Sequence, residues 1–366
     1  MSRDKVQEEA LNIAISNKRC GLGISMGVGK TRIGLKHMVH CYNPMIKYLV
    51  VAPKKSIFKS WDDEMVKTEM EGMGKHITYT TYLSINKHDP NDYDVVYLDE
   101  CHSLLDNHEK FLDEFTGKIL GLTGTPPKRK GTEKYRMVSK YCPMKYEFSV
   151  DQASDNKILN QYQIIIHQLH LSKLNTLPKK NNQTGGVWYT SESNDYQYST
   201  MRIGNAATPA QKKFASIMRM KSMMDYKSKE DYAKSLLANM GQKCIVFANT
   251  QKQADRICKH SYHSKNSESD NNLEMFGDGR IDKLSCVLQL SEGVTISGLK
   301  QGIILHSYGN ERKSSQRIGR LLRLSPDQTA TCHILCYIDT QDEKWVESAL
   351  SGFDQSKIKY YNPLNN

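Results

Sequence analysis

No stretch of this 366-residue chain approaches the ~20 consecutive apolar residues that a membrane helix requires. The opening MSRDKVQEEA carries charges where a secretory leader carries its apolar run. A membrane partner and export are therefore not expected, and a cytoplasmic location is. A cysteine framework is missing as well: the nine cysteines are odd in number, scattered and without a CxxC pair. That excludes a disulfide scaffold or a zinc module and leaves reduced thiols as the expectation. There is no internal repeat of fixed period and no excess of acid. With 38% hydrophobic and 25% charged residues and a mean hydropathy of −0.61, the chain is neither disordered nor fibrous.

What is present is basic. A net charge of +11 and a pI near 9.0 favour a polyanionic partner such as nucleic acid. The length suggests two domains, and the apolar runs agree. YLVVAP (48–53), DVVYLDE (94–100) and KILGLTGTP (118–126) precede residue 130. KCIVFANT (243–250), LSCVLQL (284–290), QGIILHS (301–307) and HILCYI (333–338) follow residue 240. Runs this uniformly apolar suit strands covered on both faces, hence parallel sheets. Helix-compatible stretches at 30–41, 56–71, 208–226, 228–240 and 250–260 lie between them. The expectation is α/β with crossovers. Residues 173–207, rich in Asn, Thr, Ser, Gly and Tyr, break the pattern and read as an insertion. Trp188, Tyr189, Tyr196 and Tyr198 within it are candidates to stack on bases or wedge a fork.

ISMGVGKT (24–31) opens a helix-like run. Backbone N–H groups from Gly27 through Val28, Gly29 and Lys30 to Thr31 suit an anionic phosphate at a helix N-terminus. There Lys30 would reach the β- and γ-phosphates and Thr31 would ligate Mg²⁺. The general GxxxxGK[ST] form has glycine where this chain has Ile24, with Gly23 alongside. Asp99 and Glu100 close the run DVVYL, where a parallel sheet presents ligands at its carboxyl edge. Asp99 is a candidate for Mg²⁺, and Glu100 for polarising the water that attacks the γ-phosphate.

ISMGVGKT, LDECH (98–102), LTGTP (122–126) and QRIGRLLR (316–323), in this order, resemble motifs I, II, III and VI of superfamily 2 helicases and translocases. VVAPKKSIFKSW (50–61) and LSEGVTISGLKQGIIL (290–305) look like the motif Ia and V regions of the Snf2, XPB and phage UvsW-like branches. The resemblance implies two tandem RecA-like domains with mainly parallel sheets. Residues 1–150 would form the ATP-binding domain with motifs I to III. Residues 151–366 would form the second domain, with motifs IV to VI and the insertion near 173–207. It further implies that Arg320 and Arg323, one helical turn apart, act from the second domain on the γ-phosphate, with Gln316 in the same motif. Gln7, with Ala10 after it, stands in the manner of the family's adenine-reading glutamine, whose amide both donates and accepts. His102, Thr123 and Thr125 are candidates to relay nucleotide state. The motif V region departs from the common GxD form, since Val294 and Thr295 follow Gly293.

By the same resemblance a nucleic-acid track includes Pro53 and Lys54, Thr80 and Thr81, Thr250 and Ser291, whose hydroxyls, amides and lysine suit phosphate contacts. The expected enzyme is a monomeric, ATP- and Mg²⁺-dependent motor remodelling DNA in replication, recombination or repair, with a compactness like that of phage-encoded enzymes. The alternatives are an RNA helicase, or a nucleic-acid-binding ATPase switch without unwinding.

Overall fold

The protein is described from a computed structural model covering residues 1–180, 184–287, 296, 298–307, 317, 321 and 326–363. Of the candidate residues, Ser291, Gln316, Arg320 and Arg323 lie outside the described residues, as do Gly293, Val294, Thr295 and Gly319. The chain forms two compact units, one built mainly from Met1–Gln161 and one mainly from Tyr162–Leu290 and Ala330–Asn366.

The first unit begins with α1 (Arg3–Ser16), capped by the Ser2 hydroxyl, and buries Val6, Gln7, Ala10 and Ala14 along one helical stripe. β1 (Arg19–Ile24), α2 (Lys30–His40), β2 (Tyr48–Ala52) and α3 (Phe58–Lys67) follow. Then come β3 (Ile77–Thr81), β4 (Val95–Asp99), α4 (Glu109–Glu114), β5 (Lys118–Thr123), α5 (Glu133–Tyr141), β6 (Met144–Phe148) and α6 (Val150–Asp155). The strands lie in the order β3-β2-β4-β5-β1-β6, every pairing parallel. β2 and β4 are buried at every residue, as uniformly apolar runs covered on both faces must be. One face carries a core of Leu49, Val51, Val96, Leu98 and Ile119 against Phe111, Phe115, Met137 and Tyr141. Register then decides the site. Asp99 lies opposite Leu122, and Thr123 opposite Gly23, so the ends of β1, β4 and β5 meet at one edge.

The second unit contains β7 (Gln161–Leu169), β8 (Leu177–Lys180), β9 (Val187–Thr190), α7 (Glu192–Gly204), α8 (Pro209–Met224) and α9 (Lys227–Ala238). It continues with β10 (Cys244–Ala248), α10 (Gln251–Ile257), β11 (Ser261–Tyr262), α11 (Ser269–Gly277) and β12 (Lys283–Val287). β13 (Gln301–Ile304), β14 (Thr329–Tyr337), a helix Gln341–Leu350 and β15 (Ile358–Tyr361) complete it. The seven-stranded order is β11-β12-β10-β13-β14-β7-β15. The pairings of β10, β11, β12 and β13, of β13 with β14 and of β7 with β15 are parallel. Both sheets are of the mainly parallel α/β kind that the apolar runs predict.

The insertion is more ordered than its composition suggests: β8 and β9 form an antiparallel hairpin leading into the 13-residue α7. Periodicity hid α7 because its buried residues are Glu192 and Asp195, two acids rather than an apolar stripe. No helix among the described residues is long and apolar enough to cross a membrane.

Candidate active site

The loop between β1 and α2 turns through two left-handed glycines, Gly27 at φ 88° and Gly29 at φ 107°. Gly29 also has no room for a side chain, since a Cβ there would lie 2.5 Å from Gln7 Nε2. α2 starts without a side-chain cap, so the N–H groups of its first turn face outward as an anion site would need. Lys30 and Thr31 stand half-buried in that turn. The Lys30 ammonium lies beside the backbone of Gly124, 3.3 Å from where a Cβ of that residue would be. The motif I lysine and the LTGTP segment are thus adjacent across β1 and β5.

Gln7 reaches the same loop from α1. Its Nε2 donates to the Val28 carbonyl at 2.8 Å, while its buried Oε1 has no hydrogen-bond partner. An orphaned buried acceptor beside a phosphate-type loop fits an amino donor such as the adenine N6 group.

Asp99 and Glu100 end β4 as expected, in a geometry the sequence did not disclose. Glu100 adopts φ 50° and ψ 51°, a left-handed conformation uncommon for a residue with a side chain. Asp99 is buried and held from two sides: its Oδ1 accepts from the Glu100 N–H at 2.9 Å and its Oδ2 from Trp61 Nε1 at 2.9 Å. The Tyr82 hydroxyl donates to the Asp99 carbonyl at 2.9 Å, and burial pushes that phenol well above its ordinary range, so it stays protonated. Past the corner, His102 Nδ1 lies 2.7 Å from Thr123 Oγ1 and 3.3 Å from Glu100 Oε2. The Thr125 N–H donates to the same Thr123 oxygen at 3.1 Å. Glu100, His102, Thr123 and Thr125 therefore form one connected polar chain. On the buried face of α2, His37 is hydrogen-bonded to the Tyr97 hydroxyl, and burial brings it down to about 4.

The signal for Trp61 is the stripe Ile57, Trp61 and Met65, spaced four apart from the N-cap of α3 into the helix, together with the rule that a buried indole N–H needs an acceptor. Among the proposed track residues, Pro53 and Lys54 follow the end of β2 and Thr81 ends β3 half-buried, whereas Thr80 is only 5% exposed. Thr250 caps α10, accepting from the Gln253 N–H. Next to the undescribed arginines, Arg317 is buried; it donates to the His306 carbonyl at 2.9 Å and stacks 5.5 Å over the Phe247 ring. Among the described residues no three His, Cys, Asp or Glu side chains converge as a metal cluster.

Residues 1–128 match the family described as type III restriction enzyme, res subunit, and residues 228–325 match the helicase conserved C-terminal domain. A DNA 3'-5' translocase XPB2 of Sulfurisphaera tokodaii is 25% identical over 352 residues, covering 87% of this chain and 77% of that protein. Among solved structures, an ATP-dependent type ISP restriction-modification enzyme bound to DNA shares the fold with a TM-score of 0.62 at 13% identity over 97% of this chain, which spans 31% of that enzyme. Saccharomyces cerevisiae Dbp5 bound to RNA and ADP BeF3 follows with a TM-score of 0.58 at 14% identity, covering 98% of this chain and 89% of that one. A restriction-type match over residues 1–128, a helicase-type match over residues 228–325 and a translocase relative spanning most of the chain together support a superfamily 2 helicase or translocase that hydrolyses ATP.

Proposed function

We propose that the chain couples ATP hydrolysis to movement along DNA, remodelling duplex, forked or branched substrates in replication, recombination or repair. The observation that carries the DNA reading is the translocase relative, similar over 87% of this chain. The site supplies a workable mechanism. Backbone amides at Gly27 to Thr31 and the Lys30 ammonium receive the phosphates, and Gln7 Oε1 takes the adenine amino group. A Mg²⁺ ion held by Thr31 and Asp99 would neutralise charge on the β- and γ-phosphate oxygens. Trp61 and the Glu100 amide fix the Asp99 carboxylate, so no reorientation is needed at the moment of reaction. Glu100, aimed by its left-handed corner, orients the attacking water.

His102 lies within reach of both Glu100 and Thr123. Exchange of its hydrogen bond between the two is a candidate for the relay of nucleotide state. Arg320 and Arg323 are assigned to the γ-phosphate by their motif. The test is ATPase stimulation across single-stranded, duplex, forked and four-way DNA and matched RNA. DNA-specific stimulation is expected; stimulation by RNA alone would favour an RNA helicase, and no stimulation by any polynucleotide would favour a switch.

A further inference from the structure

The insertion combines two properties that seldom coincide: it is firmly pinned at its base and it exposes large aromatic side chains. Glu192, buried at the start of α7, accepts from the Ser172 N–H at 3.0 Å, the Ser228 N–H at 3.0 Å and the Ser228 hydroxyl at 2.5 Å. Asp195, one turn on, accepts from the Tyr226 hydroxyl at 2.9 Å and pairs with Lys179 of the hairpin at 2.6 Å. Leu177 packs on the core of the second unit, and its cross-strand neighbour Thr190 is buried. A two-stranded ribbon is marginal alone; this one is fastened by its first residues and by two buried carboxylates.

Beyond that base the ribbon turns apolar and cationic. Trp188 is 55% exposed and Tyr189 61% exposed. Register sets Trp188 opposite Lys179 and Tyr189 opposite Pro178, so alternation puts the two rings on opposite faces of the ribbon. Lys180, across from Val187, and Lys173, four residues before the hairpin, are exposed. Residues 171–224 carry eight basic side chains against two acids, a net of +6 within the chain's +11. Both acids are the buried anchors, so the charge this segment shows to solvent is positive. Tyr196, by contrast, is committed to the fold: its hydroxyl accepts from the Gln341 N–H at 2.7 Å and Arg219 stacks on its ring at 5.2 Å.

We propose that this hairpin is a single-stranded nucleic-acid contact, in which Trp188 and Tyr189 stack on unpaired bases while Lys180 and Lys173 meet the flanking phosphates. Exposed rings on a ribbon that carries the exposed Lys180, within a segment of net charge +6, suit a polyanion with π-faces, and stacking of this kind is indifferent to base identity. A protein partner of ordinary surface would find no acidic group here to pair with. The proposal rests on the polynucleotide-motor reading only for the class of partner.

The experiment measures binding of the full chain to a fluorescein-labelled single-stranded oligothymidylate and to a blunt duplex, with intrinsic tryptophan emission followed in parallel. Trp188→Ala combined with Tyr189→Ala should weaken single-strand binding by roughly tenfold, leave duplex binding and the basal ATPase near wild type, and keep the melting temperature. Trp188→Phe should retain affinity yet lose the quenching of emission on adding the oligonucleotide. Lys180→Ala should lower the slope of log affinity against log salt by about 0.7. Wild-type affinity in the double alanine variant would overturn the hairpin proposal. So would loss of self-association in that variant with unchanged oligonucleotide binding. Absence of any polynucleotide binding by the wild-type chain would instead overturn the motor reading on which the partner class depends.

Discussion

Glu100 and Trp61 show how much of the site is decided one side chain at a time. A glutamate held at φ 50° bears a backbone cost of order 1–3 kcal/mol that its surroundings must offset. Glu100→Gln keeps the shape and removes the proposed base. It should bind ATP and nucleic acid with near-wild-type affinity while turnover falls by about 10² or more, read by steady-state ATPase beside nucleotide titration. Trp61→Phe keeps the buried ring and removes the only hydrogen the indole offers to Asp99. Hydrogen bonds to charged groups contribute roughly 1.5–3 kcal/mol, so the expectation is a turnover loss of about tenfold or more with a raised Mg²⁺ requirement. A merely structural indole predicts a lower melting temperature at an unchanged Mg²⁺ dependence, so the Mg²⁺ titration decides between them.

Between elements, the second unit is tied together by charge as well as by apolar packing. Lys229 of α9 is fully buried, paired with Asp342 at the start of the helix Gln341–Leu350, bonded to the Leu335 carbonyl of β14 at 3.1 Å, and set 3.3 Å from His306 Nδ1 just past β13. Asp342 also accepts from the Tyr337 N–H at 2.9 Å. One ammonium thus joins a helix to three neighbouring segments. Removing one partner of a buried pair leaves the other charge uncompensated, a loss of about 3–5 kcal/mol. Lys229→Met should therefore unfold the second unit at markedly lower denaturant, and adding Asp342→Asn should restore part of the loss. Equal stability of Lys229→Met and wild type in a urea titration would remove the network from the account.

For the whole molecule, buried neutral histidines set an acid limit. Burial brings His37, His167 and His333 each down to about 4 and holds His306 well below its ordinary value. His167 and His333 face one another at 2.9 Å, with the Tyr232 hydroxyl beside the former. Because the folded values lie below the unfolded value near 6.5, their contribution is intact above pH 6.5 and is lost as pH falls from 6.5 toward 4. Each group costs up to about 1.4 kcal/mol per pH unit in that window. Melting temperature should be flat from pH 8 to 7 and decline steeply below about 6.5; a flat profile down to pH 5 would contradict it. The arginines of motif VI pose the other question at this scale. Arg320→Ala should abolish the nucleic-acid-stimulated part of the ATPase far more than it weakens nucleotide binding. A solvated basic helix predicts recovery of the rate at saturating DNA, so turnover at saturation separates the two.

What the sequence determined by itself was whatever depends on neighbours in the chain. The uniformly apolar β2, β4 and β10 announced parallel strands, and the four motifs in order announced the superfamily. Lys30, Asp99 and Glu100 could be proposed from the sequence because a phosphate loop and a strand-end acid pair are local patterns. Only the tertiary structure decided the groups whose partners are distant in sequence: Gln7 donating to Val28, Trp61 to Asp99, His102 meeting Thr123, and the burial of Thr80. The insertion is the clearest case. Its order comes from two acids buried against amides, hydroxyls and a lysine supplied by other segments, and hydrogen bonds of that kind leave no period in the sequence that makes them.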